Sequence, residues 1–317
     1  DAQGRVTHCG GQARLVVGED FQRQDASGQW RALPNAEARA LAAKLSTQLT
    51  TPSTSDAAIH PTPPDPEAAK ILAGYTREVA AQKARPIGQA PEALCLVRVP
   101  GEATPRSGGT PGCEGANRLA RGSDVAQVVA EAFLRGSPRA NFALQNAGGV
   151  RVPVAAGPLS MDTAFTLLPF TNTLLEFEIT GAEMAAVLED AVARHLDSAT
   201  PSDGGHPYAA GLRWTLDMRQ PRGQRFQQLE VRDKATGRWQ PLQPDRTYVL
   251  VTHDFIGSGK DGYDRLGRLY DAGRYVNTYR LYTQTLVDHL QALGGILRRP
   301  APGDYAHQRV VTRAGVV

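Results

Sequence analysis

Residues 174–192, LLEFEITGAEMAAVLEDAV, contain the transition that decides the fold. Residues 174–179 alternate apolar and acidic side chains, as a half-buried β-strand does. Thr180 and Glu183 then have the spacing of a capping box, in which each side chain accepts a hydrogen bond from the other residue's backbone N–H at a helix start. The next apolar residues recur at helical spacing: Met184, Val187, Leu188, Ala191 and Val192. A strand that passes directly into a core helix indicates an α/β protein.

The same pattern continues on both sides of this stretch. A helix is predicted to begin at Ser123 or Asp124. Its apolar face consists of Val125, Val128, Val129, Ala132 and Phe133. Residues 247–252, TYVLVT, have the composition of a buried strand. We therefore expect an α/β (α+β) fold over residues 90–317, with a mixed sheet and packed helices.

The chain before residue 90 is organised differently. Residues 1–45 predict a strand pair and a short helix, because two β-rich runs flank Gly10-Gly11. Residues 50–66 are rich in Thr, Ser and Pro and predict a linker or an exposed loop. Asp65 is predicted to cap a helix that begins at Pro66. The apolar stripe of that helix would be Ile71, Leu72, Tyr75 and Val79.

Charge and hydropathy argue against two kinds of partner. The formal net charge of the 317 residues is only +3, whereas a dedicated nucleic-acid-binding protein should carry a concentrated basic face. No apolar run approaches the roughly 20 residues that a membrane-spanning helix requires. We therefore expect no nucleic-acid partner and no transmembrane segment.

Three cysteines are present, and none belongs to a C-x-x-C pair, so the usual zinc and redox spacings are absent. Cys95 and Cys113 flank a loop rich in Gly and Pro. A disulfide that closes this loop is one interpretation, and it would require an oxidising compartment. Three buried thiols in a cytosolic protein are the other interpretation, and counting alone does not separate the two.

Residues 255–263, FIGSGKDGY, resemble the end of a phosphate-binding P-loop but fail its spacing. The P-loop requires a glycine five positions before the second glycine and Ser or Thr after the lysine, and this chain has Asp254 and Asp261 there. His253 and Asp254 suggest a base with its orienting acid, yet neighbours on a strand point to opposite faces. The seven histidines show no metal-binding spacing. We therefore predict no catalytic residue and no metal site in this chain.

Three loops instead carry residues suited to binding a nucleoside. These residues are Asn146, Gly148, Arg151, Phe170, Phe255 and Asp261. Two aromatic rings can hold a flat base between them, with stacking worth ~1–3 kcal/mol per base. An amide has both the donor and the acceptor that reading a purine edge requires. A guanidinium can bind phosphate through two bonds, and a carboxylate can accept hydrogen bonds from ribose hydroxyls.

In order and spacing, these segments resemble the C-terminal domain of the 5'-nucleotidase family, which includes UDP-sugar hydrolases and NAD-degrading nucleotidases. Four motifs carry the resemblance. They are NAGGVR at 146–151, the run from AAGPLS to LEDAV at 155–192, AGLRWTLD at 210–217, and LQPDRTYVLVTHDFIGSGKDGY at 242–263. The likeness is close over residues 120–270 and looser over 65–300.

The resemblance implies a role for each matched residue. Phe170 and Phe255 would stack on the base, and Asn146 would touch its edge. Arg151 would bind phosphate or ribose, and Asp261 would bind ribose. These roles agree with the chemistry of the side chains themselves.

Two further matches and one departure follow from the same resemblance. A family arginine that precedes the helix near residue 124 corresponds to Arg118 or Arg121, and Gly211 corresponds to a glycine that lines the pocket. The family usually has Gly-Gly-Asp-Gly where this chain has Gly-Lys-Asp-Gly at 259–262. If the second position needs a positive φ, Lys260 would be strained there. Alternatively, Lys260 lies near the ligand and adds positive charge.

The resemblance also implies a division between two domains. In the family, an N-terminal metallophosphoesterase domain holds two divalent metal ions, and the C-terminal domain binds the nucleoside. Residues 1–62 would be the tail of the metallophosphoesterase domain and a linker, 63–89 an interdomain helix with a hinge at 86–89, and 90–317 the nucleoside-binding domain. Because the family's metal motifs (D-x-H, G-N-H-D/E and G-H-x-H) are absent from this sequence, we expect this chain to bind neither metal ion and to be inactive alone.

The expected function is therefore that of the substrate-binding domain of a metal-dependent 5'-nucleotidase. Its partners would be a nucleotide or nucleoside and the enzyme's own N-terminal domain. By resemblance, and if Cys95 and Cys113 form a disulfide, the protein would be periplasmic or secreted. The alternatives are a non-catalytic nucleotide-binding module and a secreted α/β scaffold with a degenerate pocket.

Overall fold

A computed structural model describes residues 65–102, 106–114 and 120–317, and before them the short segments 15–17, 22–24, 30–32, 36–37, 40–41, 43–44 and 59–61. The chain divides into two compact units, Asp1–Val79 and Ala80–Val317. The candidate site described below belongs entirely to the second unit.

Among the described residues of the first unit there are four short strands. Strand β1 (Leu15–Val17) pairs in parallel with β4 (Ile59–Pro61), and β2 (Gln22–Gln24) pairs antiparallel with β3 (Trp30–Ala32). The first β-rich run of the predicted strand pair, before Gly10-Gly11, lies outside the described residues. Residues 50–66 are predicted to be a linker or an exposed loop, and strand β4 lies within this segment. Residues 50–58 and 62–64 lie outside the described residues.

Helix α1 (Pro66–Lys83) begins where the sequence predicts. The backbone N–H of Ala68 donates to Oδ1 of Asp65 over 2.8 Å, which is the bond of an N-cap. The helix has no buried residue. Its predicted apolar stripe is therefore present but exposed: Ile71, Leu72, Tyr75 and Val79.

The segment 86–89, in which the sequence predicts a hinge, is a strand. Strand β5 (Pro86–Ala90) pairs antiparallel with β7 (Gly157–Ser160), and the backbone N–H of Gln89 also donates to the carbonyl of Gly295 over 2.8 Å. Ile87 packs against the core of the second unit. These backbone bonds and the Ile87 side chain hold residues 86–89 against the rest of the second unit. The Pro and Gly residues of the segment gave no sign of these contacts in the sequence.

A five-stranded mixed sheet forms the centre of the second unit, in the order β14-β8-β13-β6-β9. Its strands are β6 (Phe142–Asn146), β8 (Thr173–Thr180), β9 (Pro207–Ala210), β13 (Thr247–His253) and β14 (Tyr275–Leu281). Strands β13 and β6 run parallel, and the other neighbours are antiparallel. The predicted mixed sheet is confirmed.

A second five-stranded sheet has the order β12-β11-β10-β15-β16. Its strands are β10 (Leu212–Asp217), β11 (Phe226–Arg232), β12 (Trp239–Pro241), β15 (His307–Thr312) and β16 (Gly315–Val316). Strands β10 and β15 pair in parallel, and the remaining pairs are antiparallel.

Helices pack against the central sheet and begin at the predicted caps. Helix α2 (Asp124–Gly136) is capped by Ser123, whose Oγ accepts the N–H of Ala126 over 3.0 Å. Helix α4 (Gly181–Leu196) has the predicted capping box: the N–H of Glu183 donates to Oγ1 of Thr180, and the N–H of Thr180 donates to Oε2 of Glu183. The other helices are α3 (Met161–Leu167), α5 (Asp254–Gly257), α6 (Asp264–Asp271) and α7 (Tyr282–Ala292).

The central sheet is buried on both faces. In β6, Phe142 and Leu144 belong to one apolar cluster, which also contains the core face of α4. Ala143 lies on the other face, in a cluster with Phe133 of α2 and Tyr282 of α7. This alternation follows from the two-residue period of a strand. Because apolar side chains pack on both faces of these strands, polar side chains can meet at the strand ends.

Candidate functional site

The carboxyl ends of β6 and β13 meet at one edge of the central sheet because these two strands run parallel. Asn146 is the last residue of β6 and His253 is the last residue of β13. Beside them lies a cleft of about 310 Å³. The cleft is lined by Arg98, Asn146, Gly148, Gly149, Arg151, Phe170, Asn172, Ser202, Gly204, His253, Phe255 and Asp261. Most of the residues that the sequence predicts for a nucleoside site are therefore brought together.

Two phenylalanines in this cleft are unusually accessible. Phe170 is 47% exposed and Phe255 is 41% exposed, whereas core phenylalanines such as Phe133 are fully buried. The backbone N–H of Phe170 is held by the hydroxyl of Tyr282 over 2.8 Å. The ring of Phe255 lies nearly parallel to that of His253, at 6.3 Å between centroids. The fold thus positions the backbone of Phe170 and the ring of Phe255, while a large part of both side chains remains exposed.

The glycine pair after β6 allows two loops to approach closely. The backbone N–H of Gly148 donates to the carbonyl of Gly204 over 2.7 Å. A Cβ at position 148 would lie only 3.0 Å from the Cα of Gly204. The exposed guanidinium of Arg151 donates from Nη1 to the carbonyl of Gly148 and lies 5.8 Å from the ring centre of Phe170. The loop therefore places a cation beside an aromatic ring in the cleft.

The floor of the cleft is polar and buried. Asn146 is only 1% exposed, and its Nδ2 donates to Oδ2 of Asp261 over 2.8 Å. Its Oδ1 lies 2.9 Å from Nε2 of His253. Nδ1 of His253 in turn lies 3.3 Å from Nδ2 of Asn172. Burial lowers the pKa of His253 to about 3, so its ring is neutral at physiological pH. His253 is not oriented by Asp254: both of its ring nitrogens face asparagine side chains, and Oδ2 of Asp254 accepts bonds from Thr173.

Lys260 behaves differently from both sequence-based expectations. The positive φ angles of this turn are those of Gly259 (88°), Asp261 (56°) and Gly262 (91°), and Lys260 is not among the residues with positive φ. Aspartate tolerates this left-handed conformation better than most side chains do. Lys260 is exposed and is not one of the residues that line the cleft. The strained position is therefore Asp261, not Lys260.

Gly211 lies away from the cleft. It forms the corner between β9 and β10 with φ 73°, and a Cβ there would lie 2.7 Å from the carbonyl oxygen of Asn141. It lines a different cavity of about 610 Å³, together with Glu131 and Trp239. The expectation that Gly211 lines the nucleoside pocket is therefore corrected: its conformation serves a strand corner.

Of the two candidates for the predicted arginine before α2, the structure describes Arg121 alone. Arg118 lies outside the described residues, and Arg121 is exposed without lining the cleft. Arg98 lines the cleft instead, and its Nη1 donates to Oδ1 of Asp203 over 2.7 Å. Arg106 pairs with the second oxygen of the same carboxylate. Although burial opposes ionisation, these two cations hold the pKa of Asp203 below its ordinary value.

A disulfide between Cys95 and Cys113 closes the loop that carries Arg98, with 5.5 Å between the two Cα atoms. The sequence suggests this disulfide but does not directly indicate Arg98 as a cleft residue. The one local indication is that Arg98 follows Cys95 by three residues and so lies in the loop that the disulfide would close. Its partner Asp203 is 105 residues away, so no local pattern indicates the contact.

Removing this disulfide is expected to destabilise the protein. Closure of a loop of this length is worth roughly 3 kcal/mol through the entropy of the unfolded chain. The double variant Cys95→Ser/Cys113→Ser should therefore lose about that free energy of unfolding, as measured by urea denaturation. Reductant should lower the stability of the unsubstituted protein to the same value and leave the variant unchanged. A variant as stable as the parent would show that the loop is held by its other contacts.

Across residues 65–102, 106–114 and 120–317 and the short segments before them, no group of three His, Cys, Asp or Glu side chains is arranged to hold a metal ion. In the same part of the chain, no helix combines the length and apolarity needed to cross a membrane.

Comparison with known proteins gives consistent matches. The family model for the 5'-nucleotidase C-terminal domain matches residues 102–268. The NAD 5'-nucleotidase of Haemophilus influenzae is 34% identical over 161 residues, which cover 50% of this chain and 26% of that protein. A probable 5'-nucleotidase of Treponema pallidum is 34% identical over 178 residues, which cover 54% of this chain and 30% of that protein. This chain thus matches about a quarter to a third of the length of these relatives.

Solved structures show the same fold. The NAD nucleotidase (NadN) of Haemophilus influenzae superposes with a TM-score of 0.62 at 24% identity, covering 90% of this chain and 47% of that one. A 5'-nucleotidase precursor from Thermus thermophilus superposes with a TM-score of 0.59 at 26% identity, covering 77% of this chain and 43% of that one.

Proposed function

This chain belongs to the 5'-nucleotidase C-terminal domain family, and from that premise we propose that it is the nucleotide-binding part of a metal-dependent 5'-nucleotidase. The observation that carries the proposal is the cleft, in which Phe170, Phe255, Arg151 and Asp261 all line one volume of about 310 Å³. That volume lies within the usual range of small-molecule sites. Its mixture of aromatic rings, cations and one carboxylate suits a base, a phosphate and a ribose.

Each part of a nucleotide has a partner of matching chemistry in this cleft. The two half-exposed rings, Phe170 and Phe255, would stack on the base. Arg151, which is exposed, and Arg98, at the cleft wall, would neutralise phosphate charge. The carboxylate of Asp261 would accept hydrogen bonds from the ribose hydroxyls.

The chemical step would depend on groups outside this domain. Two divalent metal ions in an N-terminal metallophosphoesterase domain would supply the activated water for attack on phosphorus. The residues of this chain would hold the nucleoside, direct the phosphate outward and neutralise part of its charge. Their contribution to the rate would be proximity and electrostatic stabilisation.

We propose the same domain boundaries as the sequence suggests: 1–62 for the tail of the metallophosphoesterase domain and linker, 63–89 for the interdomain segment, and 90–317 for the nucleoside-binding domain. Helix α1 supports an interdomain role because its apolar residues are exposed, as suits a helix that packs against another domain. A periplasmic or secreted location is supported by the disulfide between Cys95 and Cys113.

Calorimetry with adenosine and AMP tests the binding proposal directly. Weak, saturable binding to the folded chain is expected, and no binding of either ligand would overturn the proposal. The full-length protein with added divalent metal ions should then hydrolyse at least one of AMP, NAD and a UDP-sugar. Binding without hydrolysis of any of them would favour a non-catalytic nucleotide-binding module.

A further inference from the structure

A second cavity lies at the opposite end of the central sheet from the nucleotide cleft. Its volume is about 610 Å³, and it is lined by Asn141, which precedes β6, and by Ala210 at the end of β9. The cleft is lined by Asn146, the last residue of β6. Asn141 and Asn146 are five positions apart in an extended chain, which corresponds to roughly 16 Å. The cavity is therefore separate from the cleft.

A buried histidine without a partner lies in the wall of this cavity. His289 of α7 is 5% exposed, and neither of its ring nitrogens has a hydrogen-bond partner among the residues that the structure describes. Folded proteins pair most of their buried polar groups, because an unpaired group has lost its bonds to water. Burial and the charge of Arg135 lower the pKa of His289 to about 4. The neutral ring therefore has one donor and one acceptor available for a ligand.

Several charged side chains around the cavity are already bonded within the protein. Nη1 of Arg232 donates to Oδ1 of Asp304 over 3.1 Å. Nζ of Lys234 donates to a backbone carbonyl over 2.7 Å. Oδ1 of Asp233 accepts two bonds within its own turn. These four groups balance one another in charge and leave little capacity for a ligand.

Two ionisable side chains of α2, one helical turn apart, remain in the cavity wall. Arg135 is exposed and forms no hydrogen bond or ion pair in the part of the chain that the structure describes. Glu131 is half-buried. Burial and the charge of Asp304 raise its pKa to about 7, although a hydrogen bond with Gln127 and the charge of Arg232 oppose this shift. Below pH 7 the cavity thus presents one unpaired positive charge and neutral hydrogen-bond donors.

The remaining wall of the cavity is largely apolar. Leu134, Leu293 and Pro300 line it together with the indole ring of Trp239. The guanidinium of Arg213 lies 4.3 Å from the centre of that ring and helps to position it. A hydrated inorganic anion would gain nothing from this surface, whereas an organic anion would bury its apolar part there.

We propose that this cavity is a second ligand-binding site, and that its ligand is a small organic carboxylate. Arg135 pairs with the carboxylate, His289 and the neutral carboxyl of Glu131 donate hydrogen bonds to it, and the apolar part of the ligand packs against Trp239 and Leu293. An organic ammonium would instead face the unpaired charge of Arg135. A divalent cation is not favoured either, because the described residues contain no group of three metal-binding side chains.

An NMR titration of the nitrogen-15-labelled chain with benzoate, benzylammonium and formate tests the class of ligand. Benzoate should shift the indole N–H signal of Trp239 at pH 6, with a dissociation constant on the order of 1 mM, as suits so small a ligand. Benzylammonium has the same ring and the opposite charge and should not bind. Formate lacks the apolar part and should bind at least about 10-fold more weakly. No binding of benzoate, or tighter binding of benzylammonium, would overturn the proposal.

Three variants test the residues that hold the carboxylate. Arg135→Gln should weaken benzoate roughly 10-fold or more, because a charge-assisted bond is lost, and the exposure of Arg135 makes a folding defect unnecessary to consider. His289→Leu should weaken it as well, since a buried donor is removed. Arg238 is exposed and does not line the cavity, so Arg238→Gln should bind like the parent. Equal benzoate affinity in Arg135→Gln and Arg238→Gln would contradict the proposal.

The pH dependence of benzoate binding tests the role of Glu131. Because its carboxyl ionises near pH 7, the parent should bind benzoate about 10-fold more weakly at pH 8 than at pH 6, as negative charge appears beside the ligand. Glu131→Gln keeps a hydrogen-bond donor but cannot ionise. Its affinity should therefore be the same at both pH values and should exceed that of the parent at pH 8. A variant that loses binding at both would show that the ionised form of Glu131 is required, and the proposal would be wrong.

The proposal does not depend on the nucleotide-binding function. Saturating adenosine should leave the affinity for benzoate unchanged, because the two sites lie at opposite ends of β6. Competition between adenosine and benzoate would mean that they share one site, and the second site would be rejected. If adenosine does not bind at all while benzoate does, the proposed function fails and the second site stands.

Discussion

Nucleoside binding should become unmeasurable when both Phe170 and Phe255 are replaced by alanine. Each stacked ring is worth ~1–3 kcal/mol, so the double variant should lose about 2–6 kcal/mol of binding free energy. The loss is large because both residues are positioned before the ligand arrives: the backbone N–H of Phe170 donates to the Tyr282 hydroxyl, and the ring of Phe255 lies nearly parallel to the His253 ring. Binding therefore requires little ordering of the cleft, and most of the stacking energy is gained.

Single variants and a matched control sharpen this prediction. Phe170→Ala and Phe255→Ala should each weaken adenosine by roughly 5- to 150-fold in calorimetry. Phe165 in α3 is 47% exposed, the same as Phe170, but it does not line the cleft. Phe165→Ala should leave affinity unchanged. If all three single variants bind like the parent, neither cleft ring contacts the base.

The fold was predictable from the sequence where local contacts decide it. The capping box of Thr180 and Glu183 forms within one helical turn, and the apolar face of α2 follows from its spacing. The strand that ends at His253 is rich in β-branched and apolar residues and could be recognised without knowledge of its neighbours. Each of these signals is contained within a few residues, so one sequence is enough to find it.

The site was predictable in part, because its members lie far apart in the chain. The parallel pairing of β6 and β13 brings Asn146 beside His253, which is 107 residues away in the chain, and the residue types alone could not show this contact. Arg98 was not predicted, because its position in the cleft depends on the Cys95–Cys113 disulfide and on the carboxylate of Asp203. Gly211 was assigned to the cleft by the family resemblance alone, and the sequence could not show that this glycine instead forms a strand corner with a positive φ.

Acidification should destabilise the protein steeply between pH 6.5 and about 4.5, because four buried histidines resist protonation. Burial lowers the pKa of His253 and His307 to about 3 and that of His289 to about 4. Burial and the neighbouring His307 place the pKa of His206 well below its ordinary value. The rings of His206 and His307 stack, with 2.9 Å between their Nε2 atoms. Only one hydrogen fits between those two nitrogens.

The sign follows from which state binds more protons. Below pH 6.5 the unfolded chain protonates these histidines and the folded protein does not, so the free energy of unfolding falls as pH falls. Each such histidine contributes at most ~1.4 kcal/mol per pH unit. Glu131 acts in the opposite direction, since burial and the charge of Asp304 raise its pKa to about 7. The net loss should therefore approach about 4 kcal/mol per pH unit.

Urea denaturation at pH 7, 6 and 5 measures this slope, and two variants should change it in opposite directions. Both ring nitrogens of His289 are buried with no hydrogen-bond partner among the residues that the structure describes, so His289→Leu removes a proton-binding group without breaking any of the described bonds. It should reduce the slope by ~1.4 kcal/mol per pH unit and raise stability at pH 5. Glu131→Gln removes the opposing group and should steepen the slope by a similar amount. Stability that is flat from pH 7 to pH 5 in the unsubstituted protein would mean that the folded state accepts these protons, and that its histidines are better hydrated than their burial implies.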